Sequence, residues 1–259
     1  MRRWESTLLY DIESLLQRYL TKLVRNPTLL ATNLLTPLLF LFLFSQLLQK
    51  LSVFPGVSGN YLTYLTPGIV ILNAMTSATL SGVSMVNDLN SGFLSKMLLT
   101  RVSRPAILLG RLLTDVFVAL VQSIITIAVA IGMGVTIATG LPGILLILAT
   151  VAFFELALSG IFLAIGMRSR KTETISAIGG VLFFPLIFVS SAMFPTSFFP
   201  SWAQTISAYN PVSYASDVAR GLVQGGLTGG TLASAFIAIG AIALVTITAT
   251  LYQFRKVIS

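Results

Sequence analysis

Six long apolar runs dominate this sequence, and they decide what kind of fold the chain can adopt. They lie at residues 28–48, 62–86, 107–135, 143–166, 174–194 and 231–252. Each run is continuously apolar rather than alternating, and each holds about the 20 residues that an α-helix needs to cross the hydrocarbon core of a bilayer. The runs therefore predict an all-α integral membrane protein with six transmembrane helices.

The composition agrees with a membrane protein. Hydrophobic residues make up 55% of the chain and charged residues only 9%, and the mean hydropathy is +0.92. Soluble domains carry about 25% charged residues, so this chain has too few charges to cover a surface that faces water. The net charge of +8 is spread over the ends of the apolar runs rather than gathered in one patch. That distribution argues against nucleic acid as a partner.

The positions of lysine and arginine predict the orientation. Fourteen of the sixteen basic residues lie in the N-terminal segment, in the loops after the second and fourth runs, and in the C-terminal tail. Only Lys50 and Arg220 lie on the other side. Cytoplasmic loops are enriched in lysine and arginine. Both termini are therefore predicted to be cytoplasmic in a multi-pass topology.

Residues 1–27 form a separate element that precedes the transmembrane domain of residues 28–259. Apolar and aromatic residues recur there at spacings of three and four, which places them on one face of a helix: Trp4, Leu8, Ile12, Leu15, Tyr19 and Leu23. The pattern predicts an amphipathic helix that lies flat in the cytoplasmic interface, with Trp4 and Tyr19 at the level of the lipid headgroups. The helix is either a topology anchor or a docking element.

The loop at residues 87–105 carries signals for a short amphipathic helix. Asp88, Asn90 or Ser91 is a suitable N-cap, and Pro105 suits the first turn of the helix that follows. The alternative is a plain, positively charged cytoplasmic loop. Small and hydroxyl residues in the second and fifth runs predict close packing between helices.

Three charged residues lie within the apolar runs. Arg111 and Asp115 are four residues apart, and we interpret them as a surface pair at the start of a helix. Glu155 lies near the middle of the fourth run, where a carboxylate needs a partner or a cavity lined by protein. It is either a hydrogen-bonded contact between helices or a residue of the substrate pathway.

Several chemistries are missing from the sequence. The chain has no cysteine and no histidine, so thiolate and imidazole ligands for metals are excluded. None of its lysines follows a glycine, whereas a phosphate-binding P-loop needs that pair. We therefore expect no catalytic, cofactor or metal site in this chain, and no ATP bound through a P-loop.

The segment at residues 193–220 is rich in proline, aromatic and polar residues between apolar runs. It predicts two short helices that break at Asn210-Pro211, with Ser201 and Ser213 as N-caps. Asp217 and Arg220 are spaced to pair on the second helix. The charge distribution places the segment on the outer side, and the alternative to helices is an extracellular loop with interfacial aromatics.

The order of these features resembles the permease subunits of type-2 ABC exporters, the family that includes antibiotic-resistance and nodulation-factor exporters. The likeness rests on the N-terminal helix running into "RNPTLL", the loop "NDLNSGFLSKMLLTRVSRPAILLGRL", the six spans and the late "SSAMFP…FPSWAQTISAYNPVSYASDVARG". It covers essentially the whole chain. No single motif is diagnostic, but the order and the topology together are specific.

The resemblance implies half of a transporter in a prokaryotic plasma membrane. A second permease copy, expected to be identical, would complete the pathway, and a separate ATPase dimer would bind ATP and Mg. The cargo would be a hydrophobic or amphipathic drug, lipid, glycolipid or polysaccharide that leaves the cytoplasm.

The resemblance also assigns roles to particular residues. The loop after the second span would carry a coupling helix that meets the ATPase through Phe93, Lys96, Met97 and Arg101. The 193–220 segment would fold back into the outer leaflet as a re-entrant hairpin that caps the exit. Its expected residues are Pro200, Trp202, Asn210, Pro211, Tyr214, Asp217 and Arg220.

Two other functions stay open on the sequence. One is a proton-coupled secondary transporter that uses Glu155, and the other is a membrane scaffold that transports nothing. A single central carboxylate, the lack of histidine and the lack of an evident internal repeat argue against the first.

Overall fold

The computed structural model of the chain describes residues 2–25, 27–48, 60–99, 103–226, 236–237 and 239–250. Within these residues the chain is helical and contains no strand, which confirms the all-α class. The helices are α1 (Arg2–Val24), α2 (Pro27–Leu47), α3 (Tyr61–Asn90), α4 (Phe93–Leu98), α5 (Arg104–Gly132), α6 (Gly140–Ser169), α7 (Thr172–Phe188), α8 (Ser201–Tyr209), α9 (Pro211–Gln224) and α10 (Ile239–Thr250).

Within the described ranges of the chain, three helices are long and apolar enough to cross a membrane. They are Tyr61–Asn90, Pro105–Gly132 and Gly140–Ser169, and they correspond to the second, third and fourth predicted spans. Shorter apolar helices lie at the first, fifth and sixth predicted spans, namely Ala31–Leu47, Thr172–Phe188 and Ile239–Thr250. The start and the end of the sixth predicted span lie outside the described residues. The complete six-span topology stays a prediction.

Helix α3 is the central element of the bundle. It contacts α2, α4, α5, α6, α7 and α9, and its contact with α6 is the most extensive. At about 1.5 Å per residue, its 30 residues span roughly 45 Å. The two ends of α3 therefore lie in different surroundings, and we name them by their neighbours: the α9 end, at Tyr61, and the α1 end, at Asn90.

Neighbouring helices alternate in direction along α3. The backbone N–H of Ser103, just before α5, donates to Asp11 of α1 at 3.2 Å. The hydroxyl of Thr139, just before α6, donates to the Leu222 carbonyl of α9 at 2.6 Å. Helix α5 therefore starts at the α1 end and α6 starts at the α9 end, as the short connections between predicted spans require.

Among the described residues, the apolar core has one large part and two smaller parts. The large part fills the α9 half of the bundle between α2, α3, α5, α6 and α9, with residues such as Leu65, Ile69 and Phe154 at its centre. A second cluster at the α1 end joins Leu15 of α1 and Leu94 of α4 to α5 and α6. Burial of this second cluster attaches α1 and α4 to the bundle.

Small residues bring the central helices close together. A Cβ atom at Gly166 of α6 would lie 3.0 Å from the carbonyl oxygen of Gly82 in α3, and a Cβ at Gly179 of α7 would lie 2.6 Å from the methyl group of Thr79. Helix backbones that approach this closely leave no room for a side chain. The predicted role of small residues in close helix packing is confirmed here.

Gly68 offers a test of this packing. A Cβ atom there would lie 2.6 Å from the carbonyl carbon of Ala192 and closer still to its oxygen, and both are backbone atoms. We expect Gly68→Ala to destabilise the protein by about 1–3 kcal/mol, because overpacking forces the backbone to shift.

Gly180→Ala is the matched control, because Gly180 also lies within a helix but has nothing within 4 Å of an added Cβ. The control should be neutral or stabilising by up to about 1 kcal/mol through helix propensity. The measurement is the unfolding midpoint of each variant in lipid nanodiscs. Equal midpoints for the two variants would contradict the packing argument.

The start of α4 differs from the expected one. Asp88, Asn90 and Ser91 were candidate N-caps, but α3 continues through Asn90 and the N-cap of α4 is Gly92, with no side-chain cap. Gly92 has a φ of 69°, in the left-handed region that glycine adopts without strain. The tight turn between α3 and α4 therefore replaces a capped helix start.

Candidate functional site

A buried ionic cluster joins α1, α3 and α5 near the α1 end. The Arg111 guanidinium lies 3.2 Å from Asp115 Oδ2 and 3.7 Å from Asp88 Oδ2, and each of these three side chains is at most 9% exposed. The Ser81 hydroxyl donates to the same Asp115 oxygen. The guanidinium carbon also lies 5.0 Å from the centre of the Tyr19 ring. The Arg111 guanidinium therefore interacts with two carboxylates, which lie on different helices.

The interpretation of Arg111 and Asp115 as a surface pair is wrong. Helix α1 packs along α5 and covers them, and the Tyr19 hydroxyl donates to Asp88 Oδ2 at 3.3 Å. Tyr19 is itself buried in protein contacts rather than placed among lipid headgroups. Burial, with a further contribution from Asp88, raises the pKa of Tyr19 to about 12. The phenol therefore stays a neutral hydrogen-bond donor at neutral pH.

A cavity of about 320 Å³ lies beside this cluster, between α1, α2, α3 and α5. The amide of Gln122 lines it, and its buried Nε2 has no hydrogen-bond partner among the described residues. Polar and apolar residues both line the cavity, and most of its wall consists of carbon atoms: Tyr19, Asn33, Ser77, Leu80, Ser81, Val83, Ser84, Asn87, Arg111, Thr114, Asp115, Val118 and Gln122. Unpaired polar groups in the membrane-spanning part of a bundle favour a water-filled or ligand-filled space.

Glu155 lies on α6 behind this wall and is fully buried. The Ser77 hydroxyl of α3 is near its carboxyl group, and Asp115 is close enough to interact with it electrostatically. Neither carboxyl oxygen makes a hydrogen bond of standard geometry within the described part of the chain. Among the described residues, the Ser77 hydroxyl of α3 is the polar group beside the Glu155 carboxyl group, and the role of Glu155 in a pathway stays a prediction.

Helix α4 is anchored to the bundle by one face. Leu94 and Met97 are buried in the apolar cluster at the α1 end. The Phe93 ring is partly buried and lies 3.4 Å from the guanidinium carbon of Arg18 in α1. These contacts hold α4 against α1, so two of the expected coupling residues, Phe93 and Met97, bind the helix to its own chain.

The other side of α4 is exposed among the described residues. Lys96 and Leu99 are exposed. Arg101, the fourth expected coupling residue, lies outside the described residues. An exposed cation and an exposed apolar side chain therefore mark the surface that α4 presents.

Helices α8 and α9 do break at Asn210-Pro211, but their caps are not the expected serines. The N-cap residue of α8 is Pro200, and α9 is capped by Asn210, whose side chain accepts from the Val212 N–H at 2.9 Å. Pro211 has no N–H and suits the first helical position, which is why α9 starts there and not after Ser213. The Asn210 amide also donates to two carbonyls at the end of α7, those of Leu186 and Val189.

Arg220 joins α9 to α3 and to the turn after α7. Its Nη1 donates to Asp217 Oδ1 at 2.7 Å, its Nη2 donates to the Ser191 carbonyl at 2.5 Å, and its guanidinium carbon lies 3.8 Å from the centre of the Tyr64 ring. Arg220 is buried, whereas the Asp217 side chain is 58% exposed. The predicted pair exists, and its cation reaches into the bundle.

The exposed surface of α8 and α9 is rich in aromatic residues. Trp202 and Tyr209 of α8 are 63% and 81% exposed, and Tyr214 of α9 is 44% exposed. Tyr214 is therefore much more exposed than Val218, which is buried on the same helix. The position of this segment within the outer leaflet stays a prediction.

Comparison with known proteins gives the family. The family model described as "ABC-2 type transporter" matches residues 10–223. The putative transport permease ycf38 of Cyanophora paradoxa is 32% identical over 212 residues, which are 80% of this chain and 71% of the relative. The chain belongs to the ABC-2 type transporter family.

Two further relatives are named for drug resistance. The daunorubicin resistance ABC transporter permease protein DrrB1 of Streptomyces coeruleorubidus is 27% identical over 199 residues, 77% of this chain and 70% of the relative. The probable doxorubicin resistance ABC transporter permease protein DrrC of Mycobacterium tuberculosis is 25% identical over 221 residues, 84% of this chain and 79% of the relative. The chain is therefore a membrane-embedded permease of an ABC transporter, and its family implies an ATP-binding partner.

Sequence reasoning missed Asp88, Tyr19 and Gln122 as members of the buried polar centre. The sequence pattern predicts a cap at Asp88 and an interfacial position for Tyr19, and it indicates no role for Gln122. The available signal was the presence of Gln122 inside the apolar run 107–135, because a polar side chain in such a run faces protein or a cavity.

Proposed function

We propose that this chain is the membrane-spanning subunit of an ATP-driven exporter that moves a hydrophobic or amphipathic molecule out of the cytoplasm. The single observation that supports export is the membership of the ABC-2 family together with relatives named for daunorubicin and doxorubicin resistance. The cargo class comprises drugs, lipids, glycolipids and polysaccharides.

The working transporter contains two permease copies and a separate ATPase dimer that binds ATP and Mg. We infer an identical second copy. The described helices leave wide apolar surfaces for lipid and for this copy, with exposed large side chains along α2, α7 and α10. The host membrane is a prokaryotic plasma membrane.

The α1 end of the bundle faces the cytoplasm in this proposal, and α8 and α9 face outward. The support is the uneven distribution of lysine and arginine, most of which lie near α1, α4 and the turn between α6 and α7. Both termini are then cytoplasmic, and α8 and α9 cap the exit of the pathway.

Helix α4 is the proposed coupling element. Its buried residues Leu94 and Met97 fix it to α1 and α5, so a push on the exposed face at Lys96 is transmitted to the bundle rather than absorbed by a loose loop. Arg18 against the Phe93 ring extends this rigid contact to α1. In this proposal Lys96 and Arg101 contact the ATPase, and Phe93 and Met97 hold α4 in position for that contact.

Lys96→Glu tests the coupling in proteoliposomes that hold this permease and its ATPase. We expect the substitution to lower ATP-driven transport at least tenfold, because reversing a charge at an interface adds repulsion that costs several kcal/mol. Lys171→Glu, an exposed cation at the same end of the bundle, is the control and should retain transport. Equal transport by both variants would remove α4 as the coupling element.

The same vesicles separate the proposed function from a proton-coupled transporter that uses Glu155. An imposed pH gradient without ATP should drive no transport, whereas ATP without a gradient should drive it. The reverse result would favour the secondary transporter, and no transport under either condition would favour a scaffold.

A further inference from the structure

A groove of about 580 Å³ lies between the second half of α6, the first turn of α7 and the second half of α10. We infer that it binds one anionic phospholipid, whose phosphate lies at Arg168 and whose acyl chain lies between α6 and α10. The inference goes beyond the proposed function, because this lipid is neither the cargo nor a part of the ATPase.

The body of the groove offers hydrocarbon surface to a ligand. Two threonines of α10 line it, but their hydroxyls are used by backbone carbonyls: Thr246 donates to Ala243 at 3.0 Å, and Thr250 donates to Gly160 of α6 at 2.7 Å. Apolar side chains of both helices form much of the remaining lining: Ile161, Ala164, Ile165, Val245 and Ala249. Such a wall suits an acyl chain, which needs no hydrogen-bonding partner.

The groove ends at the depth of the lipid headgroups. Along α6 it extends from Gly160 to Arg168, about 12 Å at roughly 1.5 Å per residue. With α6 centred in the bilayer, Arg168 lies about 20 Å from the midplane, whereas the hydrocarbon core ends about 15 Å from it. The groove therefore begins within the hydrocarbon core and reaches the headgroups at the α1 end of the bundle.

The mouth of the groove is positively charged. Arg168 lines it, and the ion pairs among the described residues involve other arginines. Arg170 and Lys171 are exposed in the same turn, and the acid that follows them, Glu173, is exposed and does not line the groove. A guanidinium binds a phosphate through two parallel hydrogen bonds, and the Thr174 hydroxyl lines the same mouth. This end therefore favours an anion.

The two ends together select an anionic phospholipid over other occupants. A neutral amphiphile would leave the guanidinium of Arg168 without a counter-ion. A free phosphate would leave the apolar body of the groove unused. The chain beyond Thr250 carries Arg255 and Lys256 and no acidic side chain, so its side chains do not complement the charge of Arg168.

Binding is measured on the purified permease in detergent, without the ATPase, by native mass spectrometry. The probes are phosphatidylglycerol and phosphatidylcholine with identical acyl chains. We expect phosphatidylglycerol to bind at least about tenfold more tightly, because its phosphate is not accompanied by an ammonium group. Equal affinities would overturn the inference.

Arg168→Gln removes the charge at the mouth of the groove. We expect it to reduce the preference for phosphatidylglycerol at least about fivefold. Lys171→Gln is the matched control, because Lys171 is an exposed cation three residues further on that does not line the groove, and it should retain the preference. An equal loss in both variants would show diffuse attraction by the turn and would overturn the site.

Ala164→Phe tests the acyl chain, because the larger side chain fills the groove and leaves Arg168 in place. We expect it to weaken phosphatidylglycerol binding at least about threefold. Ala177→Phe, at an exposed position of α7 that does not line the groove, is the control and should bind as the unaltered chain does. Unchanged binding by Ala164→Phe, or displacement of the lipid by soluble glycerol 3-phosphate, would show that the headgroup binds alone and would overturn the inference.

Discussion

Arg111→Met is expected to destabilise the protein by about 3–5 kcal/mol, which is the range for removing one partner of a buried ion pair. Arg111 compensates both Asp88 and Asp115, and all three side chains are almost completely buried. Methionine fills a similar volume but leaves two carboxylates without a cation. The contact between the guanidinium and the Tyr19 ring is lost as well, so α1 should loosen from α5.

The measurement is the free energy of unfolding in mixed micelles, together with protease protection of α1. Arg168→Met is the control, because Arg168 is an exposed arginine near the end of α6, and it should change the stability by less than about 0.5 kcal/mol. The triple variant Arg111→Met, Asp88→Asn, Asp115→Asn should recover at least half of the loss. A triple variant as unstable as Arg111→Met would show that charge compensation is not the cause.

Arg220→Met is expected to destabilise the protein by about 2–3 kcal/mol, because the buried guanidinium donates charged hydrogen bonds and also contacts an aromatic ring. These bonds link α9 to the Ser191 carbonyl and to the Tyr64 ring of α3. Without them, α8 and α9 should detach from the α9 end of the bundle. Hydrogen exchange of residues 201–224 is the direct measurement.

Asp217→Asn tests whether Arg220 stabilises the protein through its contacts with the bundle or through its ion pair with Asp217. The Asp217 carboxylate is more than half exposed, so its pair with Arg220 should contribute no more than about 1 kcal/mol. We therefore expect Asp217→Asn to have less than half the effect of Arg220→Met. Equal effects would assign the stabilisation to the ion pair.

The class of the molecule and most of its helices are predictable from the amino-acid sequence alone. Continuous apolar runs about as long as a bilayer is thick allow only membrane helices, because backbone groups in lipid must be paired within the helix. The spans at 62–86, 107–135 and 143–166 each correspond to an observed helix. The break at Asn210-Pro211 was equally predictable, since proline acts on its own backbone and its neighbour's.

The contacts between polar residues, in contrast, depend on how distant helices pack. Tyr19 and Asp88 are 69 residues apart, and Tyr64 and Ser191 are 127 apart, so no local pattern brings them together. Whether Arg111 is a surface or a buried residue depends on α1 covering α5, which helical periodicity within α5 cannot specify. The cavity beside Arg111 and the inward position of Met97 follow from the same packing. Periodicity defines the faces of a helix, and contacts between distant helices define what each face meets.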